Sequence, residues 1–519
     1  MAKQNLTAEQ IETILREHDL LVKLVNPHEA TNFTAITYDS RTATPASLFF
    51  CKGAFKPAYL QAAVDAGAIG YVAEQADTMQ TITGFIVTNI QQAMALLSAA
   101  FFGYPQNELF IVAFTGTKGK TTSAYFTRGM LQAATNQKTA LFSTIDRILG
   151  PRPEQEFKSD LTTPESLDLF HDMREAVDSG MTHLVMEVSS QAYKKNRVYG
   201  LTYDVGIFLN ITPDHIGRNE HPTFADYLHC KLQLLVNSKR CIINAETDHL
   251  NDVYQAAKAT TQPENIYLYA RTGYQPSVDV PLDFRFESNE DNLKDAKFTL
   301  TTVATKRRKL ALDGEYQLAI PGDYNENNAV AAIIAAGLAG ATVGQAQQAL
   351  PTITVPGRFE SIMTHQHGTI FVDYAHNYAS VKALLSFLRK QYVDSRVIVV
   401  VGSPGDKGIS RREGFGKALS EEADVAYLTA DDPGFEDPVA IAQQIEAHID
   451  HQRVTVHTQI DRPTAIRQAI LASRPNDVVV LAAKGEDPYQ KVRGVDTPYP
   501  TDMAVAKAVV AEIELDTQA

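Results

Sequence analysis

Short unbroken apolar runs recur along the middle of the chain, at residues 110–114, 183–188 and 205–210, with helix-compatible stretches between them. Runs of that length bounded by turn residues predict strands buried on both faces, and their alternation with helices predicts a doubly wound α/β sheet. A second series at 370–373, 397–401, 425–428 and 478–481 predicts a smaller, Rossmann-like α/β unit. Residues 1 to 106 mix shorter elements, including a helix near 59–66 and a strand at 68–73. Between Asp283 and Leu312 the pattern becomes alternating, as in KFTLTTV, which predicts an antiparallel hairpin inserted in or flanking the central unit. A helix rich in small residues (328–338) follows, and the stretch from Thr352 to Arg358, ending Val-Pro-Gly-Arg, reads as a hinge. The expectation is three α/β domains, at 1–106, 107–350 and 351–519.

Composition sharpens this picture. A chain of 519 residues exceeds what one core serves, and 44% hydrophobic with 21% charged residues is ordinary for globular domains. A formal net charge of −14 argues against general affinity for nucleic acid or anionic lipid. Cys51, Cys230 and Cys241 show no CxxC or metal spacing and read as reduced, buried thiols. The polar start MAKQNLTAEQ lacks the apolar core of a signal peptide, and no run reaches the ~20 apolar residues of a membrane span. These features predict a soluble, cytoplasmic protein with no membrane insertion.

The chemistry concentrates at FIVAFTGTKGKTT, residues 110–122. A strand, a glycine-rich turn (Gly116, Thr117, Lys118, Gly119) and a helix start (Lys120, Thr121, Thr122) form a phosphate cradle. Backbone N–H groups and the helix dipole face the anion, Lys120 reaches the terminal phosphates, and the Thr121 hydroxyl suits Mg²⁺. The strict pattern would place Gly at 114, where this chain has Phe114, so the loop is a variant. Glu187 ends the strand candidate at 183–188, where a carboxylate suits a hard cation beside phosphates. His215, after Asn210-Ile-Thr-Pro-Asp214, is a candidate ligand for a second metal, and Lys231 adds a cation on a predicted helix. Phosphoryl transfer needs such charge around the transferred group.

The motifs TGTKGKTT, TTPE (162–165), MEVSS, ITPDH, Lys231, GDYNENN (322–328), GRFE (357–360), DYAHN (373–377), DDPGFEDP (431–438) and AAKGEDPYQ (482–490) run in order through nearly the whole chain. Together they resemble the Mur ligase family of peptidoglycan synthesis, and within it the members that add the third residue of the stem peptide. The resemblance implies ATP and Mg²⁺ on the loop 116–122, with Thr121, Glu187, His215 and a carbamylated Lys231 around the metals. It implies adenine and ribose contacts at Asn325, Asn328, Arg358, Asp373 and His376. It implies UDP-MurNAc-L-Ala-D-Glu held by Ser40, Thr162, Thr163, Ser189 and Arg197. The implied reaction phosphorylates the D-Glu γ-carboxylate, after which an amino acid's amine displaces phosphate. Closure about 352–358 would complete the site, in a protein expected to be a monomer. Gln191, Lys195 and Cys230 depart from residues usual in relatives.

Relatives that add meso-diaminopimelate carry Asp-Asn-Pro-Arg where this chain has Asp431, Asp432, Pro433 and Gly434. Gly434 has no guanidinium to clamp a second carboxylate. Asp432, with Glu486 and Asp487 further on, favours a cationic side chain, so L-lysine is the expected amino acid and Gly434→Arg is expected to weaken its use. The basic run Lys306-Arg307-Arg308-Lys309 reads as a solvated hairpin turn. His18, His28, His171, His448 and His451 read as surface or packing residues. Three rivals stand beside the ligase: a folylpolyglutamate synthase, a P-loop kinase and a non-enzymatic nucleotide switch.

Overall fold

The computed structural model describes residues 5–27, 32–77, 80–217, 220–291, 296–406 and 408–518. His28 lies outside them. Three α/β units follow one another, each built on its own sheet.

The central sheet has eleven strands, and the apolar runs lie in its parallel part. Phe110–Thr115 pairs with His183–Glu187 on one side and Val205–Phe208 on the other, both parallel. All three are buried, apart from partial exposure of Phe110 and His183 at the N-terminal ends. Phe114 is fully buried in this core, so the strand continues where a regular phosphate loop would already turn. Three parallel neighbours place three carboxyl ends together, the position at which open α/β sheets bind ligands. The alternating segment forms Phe284–Asp291, Ala296–Thr302 and Gly314–Leu318, which extend this same sheet at one edge.

Two departures from the sequence reading are instructive. The small-residue helix starts earlier, at Asp323, and its alanines pack against the helix Lys120–Thr135. The basic run is not a solvated turn throughout. Arg307 is buried, bonds Asp283 Oδ1 at 3.0 Å, donates to the carbonyls of Glu264 and Ile266, and lies over the Tyr267 ring. A single guanidinium with carbonyl and carboxylate partners fastens the edge strands, which no local charge count can reveal.

The N-terminal sheet runs Leu21–Val25, Thr83–Val87, Gly70–Ala73, Ser47–Phe50, Ala35–Thr37. It docks on the central domain through Tyr38 Oη to Asp168 and Lys52 Nζ to Glu165, each 2.6 Å. The C-terminal sheet has six strands, with Thr369–Asp373, Val478–Ala482, Val397–Val401 and Val425–Leu428 parallel and buried at its centre. No helix among the described residues is long and apolar enough to cross a membrane.

Inside the C-terminal domain Arg462 and Asp502 are both fully buried and paired at 2.6 Å, with Tyr499 Oη on Asp502 at 2.7 Å and Arg462 on the Ala482 carbonyl at 2.8 Å. Removing one member leaves an uncompensated charge, a cost of about 3–5 kcal/mol. Asp502→Ala is therefore expected to lower the unfolding free energy of this domain by that amount in urea titrations followed by circular dichroism. A loss below about 1 kcal/mol would contradict the assignment.

Candidate functional site

The turn after Phe110–Thr115 is shaped by one glycine. Gly119 has φ +82°, and a Cβ there would stand 2.1 Å from Asn328 Oδ1. The helix Lys120–Thr135 begins at once, with no side-chain cap on its first turn. Its leading N–H groups, among them those of buried Thr121 and Thr122, therefore point to an anion site. The loop is braced from the next strand: Asn210 Oδ1 accepts from Lys118 N at 2.9 Å, the Asn210 carbonyl accepts from Thr117 N, and the Thr117 hydroxyl contacts Tyr227 Oη at 3.1 Å.

Two lysines converge on one carbonyl. Lys120 Nζ donates to Gly116 O at 2.9 Å and Lys231 Nζ donates to the same oxygen at 2.7 Å. Burial, and then the neighbouring Lys120, pushes the Lys231 amine well below the usual lysine range. Burial lowers Lys120 too, against the pull of Glu187 and Asp214, and pushes Lys118 down to about 8. Glu187, fully buried, accepts from Thr144 N at 2.7 Å and from Thr144 Oγ1 at 3.0 Å. His215 Nδ1 bonds Glu220 at 2.7 Å, and Nε2 is 3.9 Å from Asp214.

The expected adenine and ribose residues also gather here, from both sides of residues 352–358. Asn325 donates to Pro321 O, and Asn328 packs on Gly119 while its carbonyl accepts from Ser123. Arg358 lies over the Tyr374 ring at 5.1 Å. Asp373 accepts from Phe359 N and Ala375 N with its two oxygens, and His376 Nδ1 faces Tyr374 O at 2.8 Å. Burial, reinforced by Arg411, drives His376 far below its ordinary range.

On the other flank, Thr163 is fully buried, with its hydroxyl on the Glu187 carbonyl at 3.1 Å and accepting from Ser189 N at 3.0 Å. Its place is to hold Glu187 and Ser189 in register. Arg197 donates to Glu165 Oε1 at 2.9 Å and to Thr163 O, so its charge is already matched. Thr162 meets Thr144 Oγ1 at 3.1 Å, and Ser40 opens a short 3₁₀ turn capped by Asp39.

The acidic pattern of the C-terminal domain needs correcting. Lys484, only 2% exposed, pairs with Asp432 at 2.5 Å, Asp487 at 3.0 Å and Asp431 at 3.4 Å. Asp487 also pairs with Lys158 of the central domain at 2.6 Å. These carboxylates thus have cations of their own and are not a bare attractor for a basic substrate. Glu486, nearby, has its carboxyl raised by burial. Gly434, with φ +60°, would put a Cβ 2.4 Å from Asp406 Oδ2, so Gly434→Arg strains the backbone as well as adding charge. Pro433 and Gly434 line a cavity of about 680 Å³ that reaches Arg462 and Gln490.

Sequence reasoning missed several residues. Lys52, Tyr38 and Asp168 join the first two domains. His221 is buried with Nδ1 on Asp226 at 2.6 Å and Nε2 on Ser190 Oγ at 2.9 Å. That network ties the helix after Glu187 to the helix Phe224–Val236, which carries Lys231. Cys230 also lies within 4.8 Å of the His221 and Asp226 ligand atoms. Both ring nitrogens are engaged, so the cluster reads as a brace. Only the spacing of His221 after His215 could have hinted at it.

Fold and site define a phosphate-loop α/β protein that gathers cations where three parallel strands end. Family models described as "Mur ligase middle domain" and "Mur ligase, glutamate ligase domain" match residues 114–336 and 357–485. A UDP-N-acetylmuramyl-tripeptide synthetase of Latilactobacillus sakei is 61% identical over 510 residues, covering 98% of this chain and 99% of that protein. A UDP-N-acetylmuramoyl-L-alanyl-D-glutamate–L-lysine ligase of Enterococcus faecalis is 49% identical over 512 residues, covering 96% and 98%. Among solved structures, a UDP-N-acetylmuramoyl-L-alanyl-D-glutamate–2,6-diaminopimelate ligase aligns with a TM-score of 0.65 at 22% identity, covering 98% and 100%. The chain belongs to the Mur ligase family, whose members are ligases.

Lys118 supplies a pH signature. Its amine titrates near 8, so it is charged below that pH and neutral above it, and a phosphate ligand prefers the charged form. ATP affinity measured by calorimetry is expected to fall as pH rises through about 8, and less steeply in Lys118→Arg. Equal pH slopes in both proteins would contradict this.

Proposed function

We propose that this protein joins L-lysine to the D-Glu γ-carboxylate of UDP-MurNAc-L-Ala-D-Glu at the expense of ATP, as a cytoplasmic monomer making peptidoglycan precursor. Residues 1–106 would take the uridine nucleotide, 107–350 the ATP and 351–519 the amino acid. The observation that carries the reading is the convergence of Lys120 and Lys231 on Gly116 O beneath an uncapped helix start. A carboxylate is a poor acyl electrophile, and phosphorylation gives it a leaving group. Bringing two anions together demands cations between them, which this pocket concentrates.

The donor set suits Mg²⁺: a buried threonine hydroxyl, a buried carboxylate and an imidazole beside the loop. Thr121, Glu187 and His215 would hold it, where it would neutralise charge on the phosphates. Lys231 fits that company only as an oxygen ligand. Burial biases the Lys231 amine towards its neutral form, the form that adds CO₂ to give a carbamate, which supports that modification. Thr163 and Ser189 keep Glu187 in register, and Asn328 fixes the loop. Closure by the C-terminal domain, which touches the central domain at Lys158–Asp487, would exclude water from the reactive acyl group.

The amino acid is inferred from the lysine ligase relative and the absence of a side chain at Gly434, with the paired acids removed from the case. A folylpolyglutamate synthase would leave the N-terminal domain, which whole-length relatives share, without a role.

Phosphate release from ATP with UDP-MurNAc-L-Ala-D-Glu is expected to require an amino acid, with lysine preferred over ornithine and meso-diaminopimelate. Diaminopimelate as best substrate would overturn the specificity, and amine-independent release would indicate a kinase. Lys120→Ala is expected to lose at least about a thousandfold in kcat/KM. Lys231→Ala should be inactive and partly restored by short carboxylic acids; full activity without them would remove the carbamate from the account.

A further inference from the structure

Arg411 stands in the first turn of the helix Ser410–Glu422 in the C-terminal domain, yet its guanidinium ends in the central one. Nη2 donates to Asp214 Oδ1 at 3.5 Å, the outer limit of a hydrogen bond, while the side chain is only 13% exposed. Nε is buried and finds no acceptor. A guanidinium carries five N–H donors, and leaving a buried donor unmade costs about 1–3 kcal/mol.

Arginines that serve structure in this domain look different. Arg462 makes three bonds of 2.6–2.8 Å to Asp502 and Ala482 O. Arg412, the next residue, also leaves Nε unmatched, but its terminal nitrogens are taken up by Glu436, Gln444 and Pro404 O. Arg411 alone of the three points across the domain boundary with most of its donors unspent. Its target, Asp214, precedes His215 and shares its field with Lys118, Lys120 and Lys231. The guanidinium also acts electrostatically on His376 and on Tyr227, whose Oη contacts the hydroxyl of Thr117 in the phosphate loop at 3.1 Å.

We infer that Arg411 is a catalytic residue delivered by the C-terminal domain, whose donors leave Asp214 for the non-bridging oxygens of the phosphoryl group in transfer. This rests on the ligase reading above. In the first step a carboxylate oxygen bonds to the γ-phosphorus as its bond to the β–γ bridging oxygen breaks, and ADP departs with that electron pair. In the second the amine's lone pair attacks the acyl carbon, an amine proton passes to solvent, and the C–O bond to phosphate breaks. Negative charge sits on the same phosphoryl oxygens in both, and Arg411 would face them throughout. Domain closure then brings the nucleophile and the balancing cation together.

The test compares Arg411→Ala, Arg411→Gln (near-isosteric and neutral) and Arg411→Lys in steady-state kinetics and in single-turnover ADP formation. The Ala and Gln variants are expected to lose about a hundredfold or more in kcat, with KM for ATP and for the uridine substrate within about threefold, and single-turnover ADP formation should fall in parallel. Arg411→Lys should recover about tenfold over Gln. A variant pair that keeps kcat and only raises the amino-acid KM would reduce Arg411 to a domain latch and overturn the proposal. Wild-type protein that releases no phosphate with all three substrates would bring down the ligase reading itself, a result seen before any variant is made.

Discussion

The structure is organised around basic side chains held where water is scarce. Two lysine amines from different helices meet at the Gly116 carbonyl, with a third lysine one loop position away from Gly119. A carbonyl oxygen cannot neutralise them, and burial penalises each charge. Glu187 and Asp214 offset part of that penalty, and a bound anion would offset more. The parallel sheet supplies the rigidity, because Phe110–Thr115 is pinned on both sides by buried strands that end at the site.

The three domains relate to this pocket through charge as well as shape. Glu165, from the TTPE segment, accepts both Lys52 of the first domain and Arg197 of the second, so the docking of the N-terminal domain and the alignment of Thr163 share one carboxylate. At the other boundary Lys158 reaches Asp487, which is joined through Lys484 to Asp432. The loop expected to meet the amino acid is thereby linked to the central domain. The partly exposed Lys158–Asp487 pair contributes little by itself; its value here is in fixing geometry across a domain boundary.

What could be read from the chain was what is contiguous. The phosphate loop, the buried strands at 397–401 and 425–428, and Glu187 at a strand end all follow from short apolar runs with turn residues beside them. Pairing between distant residues could not be read. Asp432 and Asp487 look like free acids until Lys484 is seen folded among them, and Arg307 looks like a solvated turn until Asp283 and three backbone carbonyls are seen around it. Likewise Gly434 reads as a missing guanidinium, whereas its positive φ and the nearby Asp406 give it a conformational reason to be glycine. His221 and Arg411 were silent because their partners lie on other elements or in another domain.

The central claim is that a carboxylate is made reactive by taking a phosphoryl group in this cationic pocket. Isotope transfer tests it most directly. With the γ-carboxylate of the uridine substrate labelled with ¹⁸O, one labelled oxygen should appear in the inorganic phosphate released during turnover with lysine, read by mass spectrometry. Phosphate free of label, formed at the same rate as the peptide product, would contradict the account.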